Sequence, residues 1–175
     1  QHAEGSTACM DCTPGYYCSE GSAAPLPCPG GKRKDSALTR PMTSEADCIT
    51  CGVGTFCPVG SENETACAPG TVNALEGQEK CVRCPAGTFQ NLEGNTTCKR
   101  CTPGYYCTEG SAAPLPCPGG KRKDTTLTRS MTSEADCITC GVGTFCPVGS
   151  ENETACAPGT FNAEEGKETC ELCAP

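Results

Sequence analysis

The sequence has no tryptophan and a single histidine, and aromatic side chains make up only 5% of its 175 positions. No run of 18 apolar residues occurs, so no segment can cross a bilayer as a helix. Leu, Ile, Val and Phe are too sparse for hydrophobic burial to offset the entropy of ordering the chain, which excludes a large core. A formal charge of −8 excludes nucleic acid as a main partner, because phosphates call for a broad basic surface. His2 stands alone, so no Ser-His-Asp set can form, and the carboxylates are scattered through glycine-rich stretches. EF-hand spacing is absent too. No enzyme activity, cofactor or metal is expected.

What the chain has instead is 20 cysteines, with 21 glycines and 15 prolines. That composition is the signature of a disulfide scaffold. The cysteines at 9, 12, 18, 28, 48, 51, 57, 67, 81 and 84 recur at 98, 101, 107, 117, 137, 140, 146, 156, 170 and 173, a period of 89 residues. Aligning residues 9–86 on 98–175 leaves 14 differences in 78 positions. Copies this close form an array. The expected organisation is a split module at 1–8, a first repeat at 9–97 and a second, shorter repeat at 98–175. The chain opens at Gln1 without a charged, then apolar leader, and so reads as a processed segment.

Within each repeat the run Cys-x2-Cys-x5-Cys-x9-Cys occurs twice, starting at Cys9, Cys48, Cys98 and Cys137. Most longer spacers open with Pro-Gly, Pro-Ala-Gly or Ala-Pro-Gly, which are turn formers because Pro presets φ and Gly accepts φ > 0. An aromatic or β-branched residue follows nearly every turn: Tyr16 and Tyr17, Phe56, Val72, Phe89, Tyr105 and Tyr106, Phe145, Phe161. Each ring is expected to pack on its neighbouring disulfide as a one-residue core, with an exposed stacking surface as the alternative. Short strand signals such as Gly-Thr-Phe are present, and no segment keeps a 3.6-residue apolar period. The predicted fold is a small disulfide-rich protein, an elongated rod of tandem cysteine-rich modules with short β-hairpins, little helix and no large core.

Six Cys-x-x-Cys pairs raise zinc as an alternative to disulfides, and Cys81-x2-Cys84-x13-Cys98-x2-Cys101 comes near zinc-ribbon spacing. Three Asn-x-Thr sequons, at Asn63, Asn95 and Asn152, favour an oxidising compartment and N-glycosylation of an extracellular surface. The simplest disulfide solution joins cysteines in order: Cys12–Cys18, Cys28–Cys48, Cys51–Cys57, Cys67–Cys81, Cys84–Cys98, Cys101–Cys107, Cys117–Cys137, Cys140–Cys146 and Cys156–Cys170. Crossed pairing, Cys9–Cys18 with Cys12–Cys28, is the alternative. Either way, a loop of about 15 residues contributes about 3 kcal/mol by restricting the unfolded chain.

The stretch Cys81-Val82-Arg83-Cys84-Pro85-Ala86-Gly87-Thr88-Phe89, then Gly94 and Cys98-x2-Cys101, resembles the cysteine-rich repeats called ephrin-receptor-like. It is more loosely similar to tumour-necrosis-factor-receptor and EGF-like modules. The resemblance implies a sequential loop at Cys84–Cys98 and Cys156–Cys170, and it serves spacers, adhesion surfaces and receptor ectodomains alike.

Sequential pairing leaves Cys9 and Cys173 over, which by register are the two ends of a Cys84–Cys98 loop. They are candidates for an inter-chain disulfide in a head-to-tail homopolymer. Lys32-Arg33-Lys34 and Lys121-Arg122-Lys123 are expected in solvated loops, with an acidic polysaccharide or a neighbour's Glu45 and Glu62–Glu64 segments as possible contacts. The functional expectation is a secreted, N-glycosylated structural protein forming the rod of an extracellular fibre. The alternative is the stalk or ligand-binding ectodomain segment of a cell-surface receptor or adhesion protein.

Overall fold

The structure is a computed structural model that describes residues 11–174. It is a series of two-stranded antiparallel hairpins joined by nine disulfides, with no α-helix among the described residues. The chain forms two compact units, residues 1–82 with 92–97, and residues 83–91 with 98–175.

In the first unit, β1 (Tyr16–Tyr17) pairs with β2 (Leu26–Pro27), β3 (Lys32–Lys34) with β4 (Cys48–Thr50), and β5 (Thr55–Phe56) with β6 (Thr65–Ala66). The last of its hairpins joins β7 (Thr71–Val72) to β8 (Val82–Arg83). In the second unit the pairs are β9 (Thr88–Phe89) with β10 (Lys99–Arg100), β11 (Tyr105–Tyr106) with β12 (Leu115–Pro116), and β13 (Lys121–Lys123) with β14 (Cys137–Thr139). Two more follow, β15 (Thr144–Phe145) with β16 (Thr154–Ala155) and β17 (Thr160–Phe161) with β18 (Glu171–Leu172).

Turn chemistry starts each hairpin. In the Gly-Thr modules the threonine hydroxyl donates to the carbonyl three residues back, Thr55 to Gly52 at 2.7 Å and Thr144 to Gly141 at 2.6 Å. The glycine just before takes φ near +74° at Gly54, a conformation that L side chains rarely adopt. A Cβ at Gly54 would also collide with the carbonyl of Gly94, so two turns touch backbone to backbone.

Successive modules are tied by a relay of backbone hydrogen bonds, not by a shared apolar layer. Cys67 donates to the carbonyl of Gly54 at 2.9 Å, and the Cys67 carbonyl accepts from Gly94 at 2.9 Å. Gly54 itself donates to the carbonyl of Asn73 at 2.8 Å. Cys28, Gly60 and Gly15 repeat the pattern, as do Cys51, Gly77 and Gly31.

The buried residues are accordingly few and small. They are half-cystines and turn glycines such as Gly15, Gly31 and Gly54, joined by Met42, Met131, Asn73, Gln90 and Asn162. Two apolar clusters form inside the long loops. Cys28, Met42 and Cys48 gather Tyr17 and Leu38, and Cys117, Met131 and Cys137 gather Tyr106 and Leu127. Tyr17 and Tyr106 thus sit on cysteines, as the sequence suggested. Tyr16 differs: its ring lies over Gly60, as that of Tyr105 lies over Gly149, because only a residue without a side chain admits an aromatic face so close to the backbone.

Candidate functional site

The disulfides run in chain order. Cys12–Cys18, Cys51–Cys57, Cys101–Cys107 and Cys140–Cys146 close short loops, with Cα separations of 5.9, 6.4, 5.9 and 6.4 Å. Cys67–Cys81, Cys84–Cys98 and Cys156–Cys170 close the hairpins, and Cys28–Cys48 and Cys117–Cys137 close the long loops. Cys173 is free and exposed, and Cys9 lies outside the described residues. Among the described residues no group of three or more His, Cys, Asp or Glu could hold a metal ion.

One slot governs this arrangement. The residue after the first strand of a hairpin is Cys at 18, 57, 107 and 146, Asn or Gln at 73, 90 and 162, and Asp at 35 and 124 in the long-loop hairpins. A cysteine there closes onto the cysteine six residues earlier. With an amide there, that earlier cysteine (Cys67, Cys84 or Cys156) instead reaches forward to close the hairpin. The amide occupies the interior in its place: Asn73 is 2% exposed and Gln90 1%. Reading for cysteines alone passes over Asn73, Gln90 and Asn162. Aligning the modules on the residue that follows the aromatic is the signal that finds them.

The basic segments are strands, not loops. Arg33 pairs with Ile49 in register, and Lys32 forms an ion pair with Glu45 at 3.0 Å. Arg33 meets Glu64 at 3.5 Å, and the second repeat matches with Lys121–Glu134 and Arg122–Glu153 at 3.3 Å each. The acidic segments expected on a neighbour are therefore met within the chain. Lys34 and Lys123 have no ion-pair partner among the described residues, and each lines a groove beside the Pro-Gly-Tyr turn. In the second unit the groove measures about 410 Å³ and includes Arg100, Tyr105 and Leu127; in the first it measures about 270 Å³.

The long loops are locked electrostatically. Arg40 forks onto Asp47 at 2.7 and 3.2 Å, while the Thr43 and Ser44 amides donate to the same carboxylate at 2.7 and 3.1 Å. The Arg40 guanidinium, followed by the Thr43 amide, holds the Asp47 carboxyl well below the usual carboxylate range. Arg129 does the same to Asp136.

The sequons divide into two kinds. Asn63 and Asn152 are exposed in the β5–β6 and β15–β16 connections. Asn95 is half-buried, and its side-chain amide donates to the carbonyls of Leu92 and Glu93 at 3.3 and 3.1 Å.

Serial hairpins joined by nine disulfides, four of the hairpins opened by a Gly-Thr-Phe turn, lead to the comparison that bears on the module type. Residues 70–113 match the family model described as tyrosine-protein kinase ephrin type A/B receptor-like. This segment is ephrin-receptor-like. It holds the Cys84–Cys98 and Cys101–Cys107 disulfides and the buried amides Asn73 and Gln90. No curated protein matches the chain. An ephrin-receptor-like segment within a chain of nine disulfides marks an extracellular or cell-surface protein. The matched family is a receptor-type cysteine-rich domain, which is not a catalytic module. Among the described residues no helix is long and apolar enough to cross a membrane.

Proposed function

We propose that this chain is a segment of the ectodomain of a cell-surface receptor or adhesion protein, in which disulfide-closed modules act as a stalk that presents binding elements away from the membrane. The observation that carries the reading is the ephrin-receptor-like match at residues 70–113, set in a chain where the same hairpin unit recurs. The hydrogen-bond relay suits a spacer, since within each unit successive modules are tied to one another by backbone hydrogen bonds. N-glycans at Asn63 and Asn152 would keep that surface hydrated. The rod of a secreted fibre, the other expectation from the sequence, has less support, because the matched family is receptor-like.

The test is surface proteolysis of intact cells expressing the native gene, with an antibody raised against this segment. The expected result is a membrane-retained protein, resistant to a high-pH wash, that loses the epitope when intact cells meet protease. Recovery of the protein from the medium as filaments would overturn the proposal.

A further inference from the structure

The groove beside the Pro-Gly-Tyr turn of the second unit carries two cations that no acid in the chain neutralises. Arg100, exposed on β10, and Lys123, half-buried at the end of β13, both line it, and among the described residues neither side chain has an ion-pair or hydrogen-bond partner. The third cation on its wall is matched internally, since Arg129 forks onto Asp136 at 2.9 and 3.0 Å. Asp124, next to Lys123 in the sequence, turns its carboxylate onto Thr126 at 2.7 and 2.9 Å and does not line the groove. In a chain of net charge −8, an open groove of about 410 Å³ with two unmatched cations reverses the sign locally.

The rest of the lining suits a sugar ring. Tyr105, whose ring rests on Gly149, and Leu127 give an apolar wall, while the hydroxyls of Thr102, Thr128 and Ser130 have no hydrogen-bond partner among the described residues. Apolar surface with a few placed polar groups is the makeup of a small-ligand site, and the volume falls in the usual range of about 300–1,000 Å³. A peptide is the poorer fit. The strand that carries Tyr105, β11, has β12 on one side, and the Cys107 amide just past it donates to the Met131 carbonyl at 3.1 Å, so an extended chain finds no place beside it as a further strand.

The first repeat offers a built-in contrast. Its groove keeps Tyr16, Leu38 and Lys34, but Asp11 stands at the position of Arg100 and Pro41 at that of Ser130, and the volume is about 270 Å³. We infer that the Arg100–Lys123 groove binds an acidic polysaccharide, with the two cations meeting its carboxylate or sulfate groups and the Tyr105–Leu127 wall meeting a ring face. Either anion suits the pair: Arg presents a planar fork and Lys a point charge. The first groove, with one free cation, lacks this affinity. The inference goes beyond the stalk reading and does not depend on it, because the purified chain carries the groove whatever presents it.

Isothermal titration of the whole, oxidised chain tests this with a galacturonate hexasaccharide, which carries carboxylates alone, and a heparin-type hexasaccharide, which also carries sulfates. Hexaglutamate serves as the acidic peptide, and each titration reaches about 1 mM in about 0.1 M salt. At least one saccharide is expected to bind at one site per chain, and the tighter of the two tells carboxylate from sulfate recognition. Arg100→Gln and Lys123→Gln remove no internal contact, so both variants are expected to fold, and each is expected to weaken binding about tenfold. Lys80→Gln, the same charge change at an exposed cation outside the groove, and Lys34→Gln, in the first groove, are expected to leave affinity within about twofold. Three results would overturn the inference: no saccharide binding, affinity unmoved by both groove substitutions, or equal weakening by Lys80→Gln or Lys34→Gln. Hexaglutamate binding as tightly as the saccharides would overturn it as well, since the groove would then belong to an acidic peptide partner.

Discussion

Asn73 donates its side-chain amide to the carbonyl of Thr55 at 2.8 Å, 18 residues away, and Asn162 bonds Thr144 at the same distance and separation. Each amide also reaches a half-cystine sulfur, Cys81 or Cys170, at 3.6 Å. In a chain without an apolar core, this buried amide does what a disulfide does in the modules with cysteine at that slot: it joins the hairpin to the module before it.

Removing that donor therefore has a definite cost. Asn73→Ala leaves the Thr55 carbonyl without its partner, and is expected to destabilise the first unit by about 1–3 kcal/mol. Asn73→Asp should be worse, because it replaces a donor with a charged acceptor at a site where the existing Oδ1 already has no partner. Guanidinium unfolding with the disulfides intact measures both. An Asp variant as stable as the parent would show that the amide is not the tie.

Acid should act first on the long loops. The folded Asp47 and Asp136 carboxyls lie below their unfolded value of about 3.9, so their contribution is fully present above that pH and fades as pH falls through the folded values. Stability is expected to decline below about pH 4, with Arg40→Gln and Arg129→Gln together flattening the decline. Carboxyl NMR titration of Asp47 reads the effect directly. A titration midpoint at the ordinary value would refute it.

Opening a long loop should expose its methionine. Met131 is 2% exposed beside Cys117 and Cys137. Replacing both cysteines with serine removes a loop constraint worth about 3–4 kcal/mol. Dilute peroxide should then oxidise Met131 much faster than in the parent, while Met42, in the other repeat, keeps its rate. Peptide mass spectrometry resolves the two.

Glycan occupancy should follow amide availability. Asn63 and Asn152 offer exposed side chains, whereas the Asn95 amide is engaged with Leu92 and Glu93. In secreted material, glycopeptide mapping is expected to find the first two sequons filled and Asn95 substantially less so. Equal occupancy at all three would mean that transfer precedes this local structure.

The sequence by itself determined the module. The cysteine period, the Pro-Gly and Gly-Thr turns and the scarcity of apolar residues are each legible because they act over three to twenty residues: a threonine hydroxyl reaching back three positions, or a half-cystine closing its own loop. Only the tertiary structure decided what depends on one module lying against another. It turned Lys32-Arg33-Lys34 from an expected loop into a strand held by Glu45 and Glu64, and it buried Asn73, Gln90 and Asn162. Spacing within one hairpin cannot reveal such outcomes, because Arg33 meets Glu64, and Asn73 meets Thr55, across hairpins.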